Sequence, residues 1–569
     1  MATKEDLQVR RVVIIIIIVC ISNLPAWAKY SGGNGTIDYP YKIAEPNDWI
    51  ELMNTSTDWD KCFLMTADID VNGVFLTPVG NYLHEFTGIF DGNNFVIYNA
   101  DVNMPNDNYV GLFGYVDPNG QINNLGLENI KISGYNCVGG LVGNSTVGTI
   151  SNCYCSGVIS GYEVVGGLVG NNFWGTVTGC CSTVTINGGY SIGGLIGSNV
   201  GDVNNSYSTG TINGYGSIGG LVGTSAGDII NSYFTGTVNG RGSFIGGLVG
   251  AQDDSSVLNC TSTGTVNGDN YVGGLLGFNK GTVTDCNSIS TVIGDDYVGG
   301  LIGKNDQGSV TNCYNICIVI GYNNVGGLLG SSDSGDVTNS NSICEVSGDR
   351  SVGGLVGGNY DCYVSNCYTK GTVSGDYGVG GLIGGNSGYV SDCYSDCIIS
   401  GYESVGGFIG GNYGNIASCY SIGTVGGIEA VGGLLGENYG DVTNCYSTCA
   451  VSGYIDIGGL VGSHEDGNVT KCYSTGTVSG YLAIGGLIGA NYSDMNDCFW
   501  DIETSFTFDG IGDGDPDPNG VVGKTTAELQ TQNTFIIEGL WDFIGETENG
   551  DEDIWWINEG KDYPRLWWE

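Results

Sequence analysis

Apolar and polar residues follow one pattern from residue 110 to residue 498. A Gly-Gly pair, two apolar residues and another Gly recur, as in Gly139-Gly140-Leu141-Val142-Gly143. The first Gly stands at positions 139, 166, 193, 219, 246, 273, 299, 326, 353, 380, 406, 432, 458 and 485, so every spacing is 26 or 27 residues. A divergent copy, Val110-Gly111-Leu112-Phe113-Gly114, precedes the series. A repeat of this period indicates a solenoid.

Between the Gly motifs, short segments rich in Val, Thr, Ile and Tyr are separated by Gly and Asn. This composition predicts strands joined by tight turns, and no helical period fits it. Proline is absent between Pro118 and Pro516, which favours a continuous sheet, because proline removes a ladder hydrogen bond. We therefore predict an all-β chain, a parallel β-solenoid of about 15 coils, roughly 70 Å long.

One column of the repeat indicates which side faces inward. Cys stands at positions 153, 180, 260, 286, 313, 367, 393, 419, 445, 472 and 498, and Ser at 206, 232 and 340. A corner at the preceding residue, such as Asn312, would turn Cys313, Asn315, Cys317 and Val319 inward. We expect this cysteine column to consist of buried, reduced thiols that fill space. Disulfides between adjacent coils are the alternative.

The outward positions carry a column of tyrosines that offers a binding surface. Its members that we predict to bind a ligand are Tyr207, Tyr233, Tyr368, Tyr394, Tyr420, Tyr446 and Tyr473. Such rings could stack on sugars or on a protein partner. The alternative is an aromatic ladder that only stabilises the sheet.

The flanking segments lack the repeat and divide the chain into four parts. Residues 1–28 have the basic, apolar and small-residue regions of a secretory signal peptide, with cleavage after Ala28. An uncleaved membrane anchor is the alternative. Residues 29–109 are predicted to cap the first coil, and residues 110–498 form the solenoid. Residues 499–569 are rich in tryptophan and are predicted to form a C-terminal cap with its own small core.

The charge of the chain limits its partners. Its formal net charge is −44, with only 16 Lys and Arg residues. Nucleic acids and anionic membrane surfaces require a basic face, so both are excluded as partners. With the signal peptide removed, we expect a secreted or extracellular protein, either free or associated with the cell surface.

A loop near the C-terminus is the best candidate for a metal site. Asp513, Asp515, Asp517 and Asn519 alternate with Gly and Pro, and part of this run matches the first half of a calcium loop. Thr526 stands where the closing Glu of such a loop is needed. Calcium is therefore the one cofactor we consider, and a solvated acidic turn is the alternative.

The repeated Gly-Gly-Leu-Val/Ile-Gly-x-Asn, followed by Gly-x-Val-x-Asn-Cys-Tyr-Ser and Thr-Gly-Thr-Val, resembles the GLUG-motif repeat proteins of bacteria. The resemblance implies a secreted or surface-attached, adhesin-like protein. Some members of that family also carry metallopeptidase modules that cleave immunoglobulins. Neither His84-Glu85 nor His464-Glu465 is followed by the second His of a zinc helix, so no peptidase module is expected here.

The sequence offers few residues that could serve as catalytic groups. The chain contains two histidines, and its turn aspartates recur with the repeat. We expect a non-enzymatic scaffold that binds a glycan or protein ligand along its repeated face. The alternative is a β-helix that binds or degrades polysaccharide, which would need clustered carboxylates.

Overall fold

The computed structural model describes residues 29–513, 517–518, 520–545, 549 and 552–569. The chain winds as a parallel β-solenoid with four sheets along its sides. One coil comprises Ser309–Thr311, Tyr314–Ile320, Asn323–Gly326 and Leu329–Asp333, which we assign to sheets 1, 2, 3 and 4. The predicted fold class and the coil number of about 15 are confirmed. The predicted signal peptide lies outside the described residues.

The four sheets run the length of the molecule. Sheet 1 has 18 strands, from Tyr41–Ile43 to Asp494–Asn496, and sheet 2 has 21, from Ile69–Asp70 to Val521–Lys524. Sheet 3 has 15 strands, from Asn108–Val110 to Leu482–Gly485, and sheet 4 has 16, from Phe113–Val116 to Ile511–Asp513. All pairings in these sheets are parallel and link equivalent residues of adjacent coils, as in Val298 with Val325.

The corner between sheets 1 and 2 lies where the sequence places it. Asn312 has a φ of 55°, in the left-handed region that Asn tolerates. After it, Cys313, Asn315, Cys317 and Val319 are buried while the residues between them are exposed. The cysteine column therefore points inward, as predicted.

The repeated glycines bring sheets 3 and 4 into backbone contact. A Cβ on Gly299 would overlap the carbonyl oxygen of Ile302 and lie 2.6 Å from the Gly330 nitrogen. A Cβ on Gly303 would lie 2.5 Å from the carbonyl carbon of Tyr271. The Gly-Gly-Leu-Ile-Gly motif therefore specifies a fold of the coil in which two sheets touch without side chains. The apolar pair, here Leu301 and Ile302, is fully buried.

Two polar residues of the repeat form hydrogen bonds in the interior of the solenoid. The Asn two residues after the last Gly is buried and donates to the equivalent Asn of the next coil, as in Asn386 to Asn412 and Asn412 to Asn438, each at 2.8 Å. The Ser of the Cys-Tyr-Ser segment donates to the second Gly of the pair, as in Ser421 to the Gly433 carbonyl at 2.6 Å. These bonds satisfy polar groups that burial would otherwise leave unpaired.

Each end of the solenoid carries non-repeat structure. At the N-terminus, helix α1 (Pro46–Asn54) buries Trp49 against Phe90 and Phe113. A 3-10 turn follows it at Ser56–Asp58. The segment predicted as a cap also supplies the first strands of sheets 1 and 2.

The C-terminal segment contains the short helices α2 (Ile502–Ser505), α3 (Thr526–Leu529) and α4 (Gln532–Gly539). An antiparallel pair, Trp555–Trp556 and Arg565–Leu566, completes it. Strands Ile511–Asp513 and Val521–Lys524 extend sheets 4 and 2 beyond the last Gly-Gly copy, so the solenoid continues into this segment.

Candidate functional site

The predicted tyrosine column lies on the outer face of sheet 2, at the first residue of each strand. In-register parallel pairing places equivalent rings one above the other. Tyr207 and Tyr233 stack with centroids 4.8 Å apart and planes 3° apart, and Tyr368 and Tyr394 stack at 5.1 Å. The column is therefore a continuous aromatic ladder wherever consecutive coils carry Tyr.

The C-terminal segment covers part of this ladder, and the prediction that Tyr420, Tyr446 and Tyr473 bind a ligand is wrong. All three are buried, and they share one apolar cluster with Phe535, Trp541 and Trp555. The segment folds back along sheet 2 instead of covering only the last coil. Its tryptophans bury their apolar area on the rings of the ladder.

Specific contacts fix the covering segment. The Trp568 ring stacks on Tyr420 at 5.5 Å and reaches Tyr394 at 6.4 Å. The Tyr446 hydroxyl donates to the Glu569 carboxylate at 2.9 Å. Burial raises the pKa of Tyr446 and of Tyr473 well above the usual value, so both stay neutral hydrogen-bond donors.

The open part of the sheet 2 face extends from Tyr207 to Tyr394. Tyr207, Tyr368 and Tyr394 are half-buried, and Tyr233 is exposed. Between the two tyrosine pairs lies an isoleucine patch, which comprises six exposed side chains in three adjacent coils. Its members are Ile289, Ile293, Ile316, Ile318, Ile320 and Ile343. A contiguous exposed apolar patch of this kind is typical of a binding surface.

A second tyrosine column, which sequence analysis missed, stands at the turn between sheets 2 and 3. Its members are Tyr135, Tyr162, Tyr215, Tyr322, Tyr402, Tyr454 and Tyr481, and all are exposed. Neighbouring rings stack where two occur in succession, as in Tyr135–Tyr162 at 5.4 Å and Tyr454–Tyr481 at 5.1 Å. Each follows a Gly, so a Gly-Tyr pair at the repeat period is the signal that could have identified the column.

The cysteines fall into two groups. Every cysteine of the predicted column is a free, buried thiol, and burial raises the pKa of Cys313 to about 12. One disulfide joins adjacent coils at a different position, between Cys317 and Cys344 of sheet 2. Both are inward residues beneath the isoleucine patch. The buried position of the column agrees with the prediction, and its reduced state stays a prediction.

The proposed calcium loop is only partly described. Asp513 is exposed at the end of its strand, and the Asp517 carboxylate accepts backbone N–H groups of Gly510 and Ile511 at 3.0 Å each. Asp515 and Asn519 lie outside the described residues. Among the residues that are described, no group of three or more His, Cys, Asp or Glu side chains is placed to hold a metal ion. Calcium binding at this loop stays a prediction.

The two histidines occupy different environments. His464 replaces an Asn of the buried ladder, and its ring contacts the Asn438 amide at 3.2 Å. Burial lowers its pKa, so the ring stays neutral inside the coil. His84 lies on an exposed loop near the N-terminus. This placement indicates a structural role for His464.

Acidic side chains gather at the C-terminal end of the outer face between sheets 3 and 4. Burial raises the pKa of Glu437, and the charges of Glu403, Glu465 and Glu429 add to the effect. Burial also raises the pKa of Asp456, with Glu429 and Asp513 among the contributing charges. A carboxyl group whose pKa is raised by burial and by neighbouring charges is suited to act as a general acid.

Six segments of the chain match the family model for the GLUG motif, at residues 214–239, 243–267, 294–316, 348–374, 427–452 and 453–479. The chain therefore carries GLUG-motif repeats. Each matched segment lies within the solenoid, and the motif residues are those whose contacts define the coil.

Two curated relatives are similar to parts of this chain. Halomucin from Haloquadratum walsbyi is 35% identical over 137 residues, which cover 22% of this chain and 2% of halomucin. A protein named "Putative Gly-rich membrane protein" from Evansella cellulosilytica is 34% identical over 131 residues, which cover 22% of this chain and 15% of the relative. The chain thus spans a small part of each relative's length.

A solved structure described as a "putative immunoglobulin A1 protease" from Bacteroides ovatus aligns with 95% of this chain and 96% of its own. Its sequence identity is 15% and its TM-score is 0.18, which supports no conclusion about fold or activity.

Within the part of the chain that the structure describes, no helix is long and apolar enough to cross a membrane.

Proposed function

We propose that this GLUG-repeat protein is an exported, non-enzymatic surface scaffold that binds a glycan or protein polymer along its sides. The observation that carries the proposal is the recurrence of tyrosines at multiples of the coil spacing, half-buried or exposed on the open face of sheet 2 and exposed at the turn beside it. Such columns present the same contact many times along one rod.

Repetition decides how such a surface binds. A single exposed ring contributes little affinity, but a polymer that contacts several coils at once gains from high effective concentration. The isoleucine patch adds apolar area between the tyrosine pairs. Binding should therefore depend on the length of both the rod and the polymer.

The net charge of the chain and the names of its two relatives support an extracellular location. The net charge of −44 keeps an extended rod soluble and opposes binding to nucleic acid and anionic lipid. The two relatives are named halomucin and a putative Gly-rich membrane protein, and each is similar to about a fifth of this chain.

A second candidate function rests on the acidic side chains beside Glu437. Two carboxyl groups with raised pKa, Glu437 and Asp456, are a feature of polysaccharide-cleaving sites. In this alternative the rod would bind polysaccharide and cleave it at that end.

One experiment separates the two candidates. The mature chain is applied to a glycan array, and the glycans that bind are then assayed for release of reducing sugar. The scaffold proposal predicts binding that strengthens with glycan length and no release of reducing ends. Release that is lost in Glu437→Gln would establish the enzyme instead, and no binding to any glycan or surface protein would refute the scaffold.

A further inference from the structure

The outer groove between sheets 3 and 4 contains a local departure from the repeat. The sheet 3 residue with positive φ is small or polar in most coils, as in Ser191, Ser217 and Ser351. In three successive coils it is aromatic: Phe244, Tyr271 and Tyr297, with φ of 68°, 53° and 58°. Bulky residues are rare in this backbone region, so the repeat itself does not explain them.

These three rings form a stack that is closed at one end. Phe244 and Tyr271 stack at 5.2 Å, and Tyr271 and Tyr297 at 4.9 Å, both with planes 15° apart. The Lys304 ammonium lies over the Tyr297 ring, 5.5 Å from its centroid, and pairs with Asp333 at 2.7 Å. The far end of the stack is thus covered by a neutralised cation.

The other end of the stack is open. One coil before Phe244 the column carries Ser217, which is too small to cover the ring. A pocket of about 370 Å³ lies there, lined by Phe244, Phe278, Ser217, Thr224, Ala251 and Asp253 among others. This volume lies within the range of small-ligand sites.

The polar groups at the pocket are free to bind. Among the residues that the structure describes, the Ser217 hydroxyl and the Asp253 carboxylate have no hydrogen-bond or ion-pair partner, and Asp253 is exposed. Phe278 meets Phe244 edge to face at 5.3 Å and holds it in place. An open aromatic face with hydroxyl and carboxylate acceptors beside it suits a ligand that has both C–H faces and hydroxyl groups.

We infer that this pocket is a binding subsite for a neutral saccharide unit, whose C–H face packs on Phe244 while its hydroxyls donate to Asp253 and Ser217. The strongly acidic chain disfavours an anionic sugar at the same place. The inference rests on the proposed function by naming saccharide as the ligand class, but it concerns a different surface from the tyrosine columns.

The test is a titration of the mature chain with neutral hexasaccharides of β-1,4-glucose, α-1,4-glucose and β-1,4-N-acetylglucosamine, followed by calorimetry and ligand-observed NMR. Phe244→Ala should weaken binding at least about tenfold, the scale for an anchoring aromatic contact. Phe244→Tyr should retain binding, and Asp253→Asn should weaken it several-fold by the same measure.

Tyr297→Ala is the matched control, because it removes a ring of the same stack at the covered end. It should leave saccharide affinity within about twofold, and thermal melts should confirm that both alanine variants remain folded. Absence of binding by all three hexasaccharides would overturn the inference. Equal binding by wild type and Phe244→Ala would also overturn it, while leaving polymer binding by the tyrosine columns intact.

Discussion

Some glycines of a coil are required because a Cβ would collide with the backbone, whereas others have room for a side chain. A Cβ on Gly380 would overlap the Ile383 carbonyl oxygen and lie 2.7 Å from the Gly410 nitrogen. Five residues later, a Cβ on Gly385 would find only the Ser351 hydroxyl, at 3.7 Å. The motif glycines are thus required by backbone packing, and glycines on the outer face are not.

The first prediction compares these two positions. Gly380→Ala should lower the free energy of unfolding by about 1–3 kcal/mol or more, because backbone atoms must move apart. Gly385→Ala should be neutral or stabilise by up to about 1 kcal/mol, because alanine restricts the unfolded chain. Denaturant unfolding measures both. Equal destabilisation by the two variants would show that sheets 3 and 4 do not meet through their glycines.

The second prediction concerns the thiols. Denaturation without reductant should expose 18 thiols in the chain after residue 28, and reduction should release two more from Cys317 and Cys344. In the native state Cys313 and Cys498 should react slowly, because burial raises their pKa and excludes the reagent. Half-exposed Cys62 and Cys181 should react first. Rapid native labelling of the column would contradict its inward position.

The third prediction is a pH dependence. Burial raises the pKa of Glu437 above 4.5. Such a carboxyl favours folding fully below its unfolded pKa, and that contribution is lost as the pH rises through its folded pKa. Glu437→Gln should therefore stabilise the chain at pH 7 more than at pH 4, measured by denaturant midpoints. Exposed Glu345→Gln is the control, and an equal effect of the two variants would contradict the half-buried position of Glu437.

At the scale of elements, the C-terminal segment depends on a few buried rings. Trp555 is fully buried and stacks on Trp541 at 4.6 Å, near Tyr446 and Tyr473 of the ladder. Trp567 belongs to the same segment but is 55% exposed. Comparing Trp555 with Trp567 therefore distinguishes a tryptophan that packs against sheet 2 from one that does not.

The fourth prediction follows from that contrast. Trp555→Ala should destabilise the C-terminal segment by about 3–5 kcal/mol, because it leaves a large cavity. Trp567→Ala should change its stability by no more than about 0.5 kcal/mol. Tryptophan fluorescence during denaturation reports on this segment, which holds most of the tryptophans. If both variants unfold at the wild-type midpoint, the segment does not pack on the ladder.

The repeat made the coil predictable, because each motif residue acts on its equivalents in the adjacent coils. The corner at Asn312 and the inward Cys313 follow from alternation and from the small residues in one column. The burial of Tyr420, Tyr446 and Tyr473 could not be predicted, since a non-repeating segment carries no periodic signal of where it packs. The Phe244 pocket was missed because a column at positive φ is not evident from alternation.

At the scale of the whole molecule, the chain is a rod in which each coil contacts only its neighbours. Stability is then roughly a sum over coils, and whole coils can be removed without loss of the fold. Deleting residues 139–192 joins Val138 to Gly193, and deleting residues 299–352 joins Val298 to Gly353. Both junctions are in register, because Val138 pairs with Val165 and Val298 with Val325.

The most direct test measures binding of these two deletion variants to an immobilised polymer selected on the glycan array. Both keep the Phe244 pocket and the C-terminal segment, and each should shorten the rod by about 10 Å in solution scattering. The scaffold account predicts that both fold and that each binds the polymer more weakly. The loss should be larger for the deletion of residues 299–352, which also removes four members of the isoleucine patch. Unchanged binding in both variants, or complete loss in one folded variant, would place binding at a single site and contradict the account.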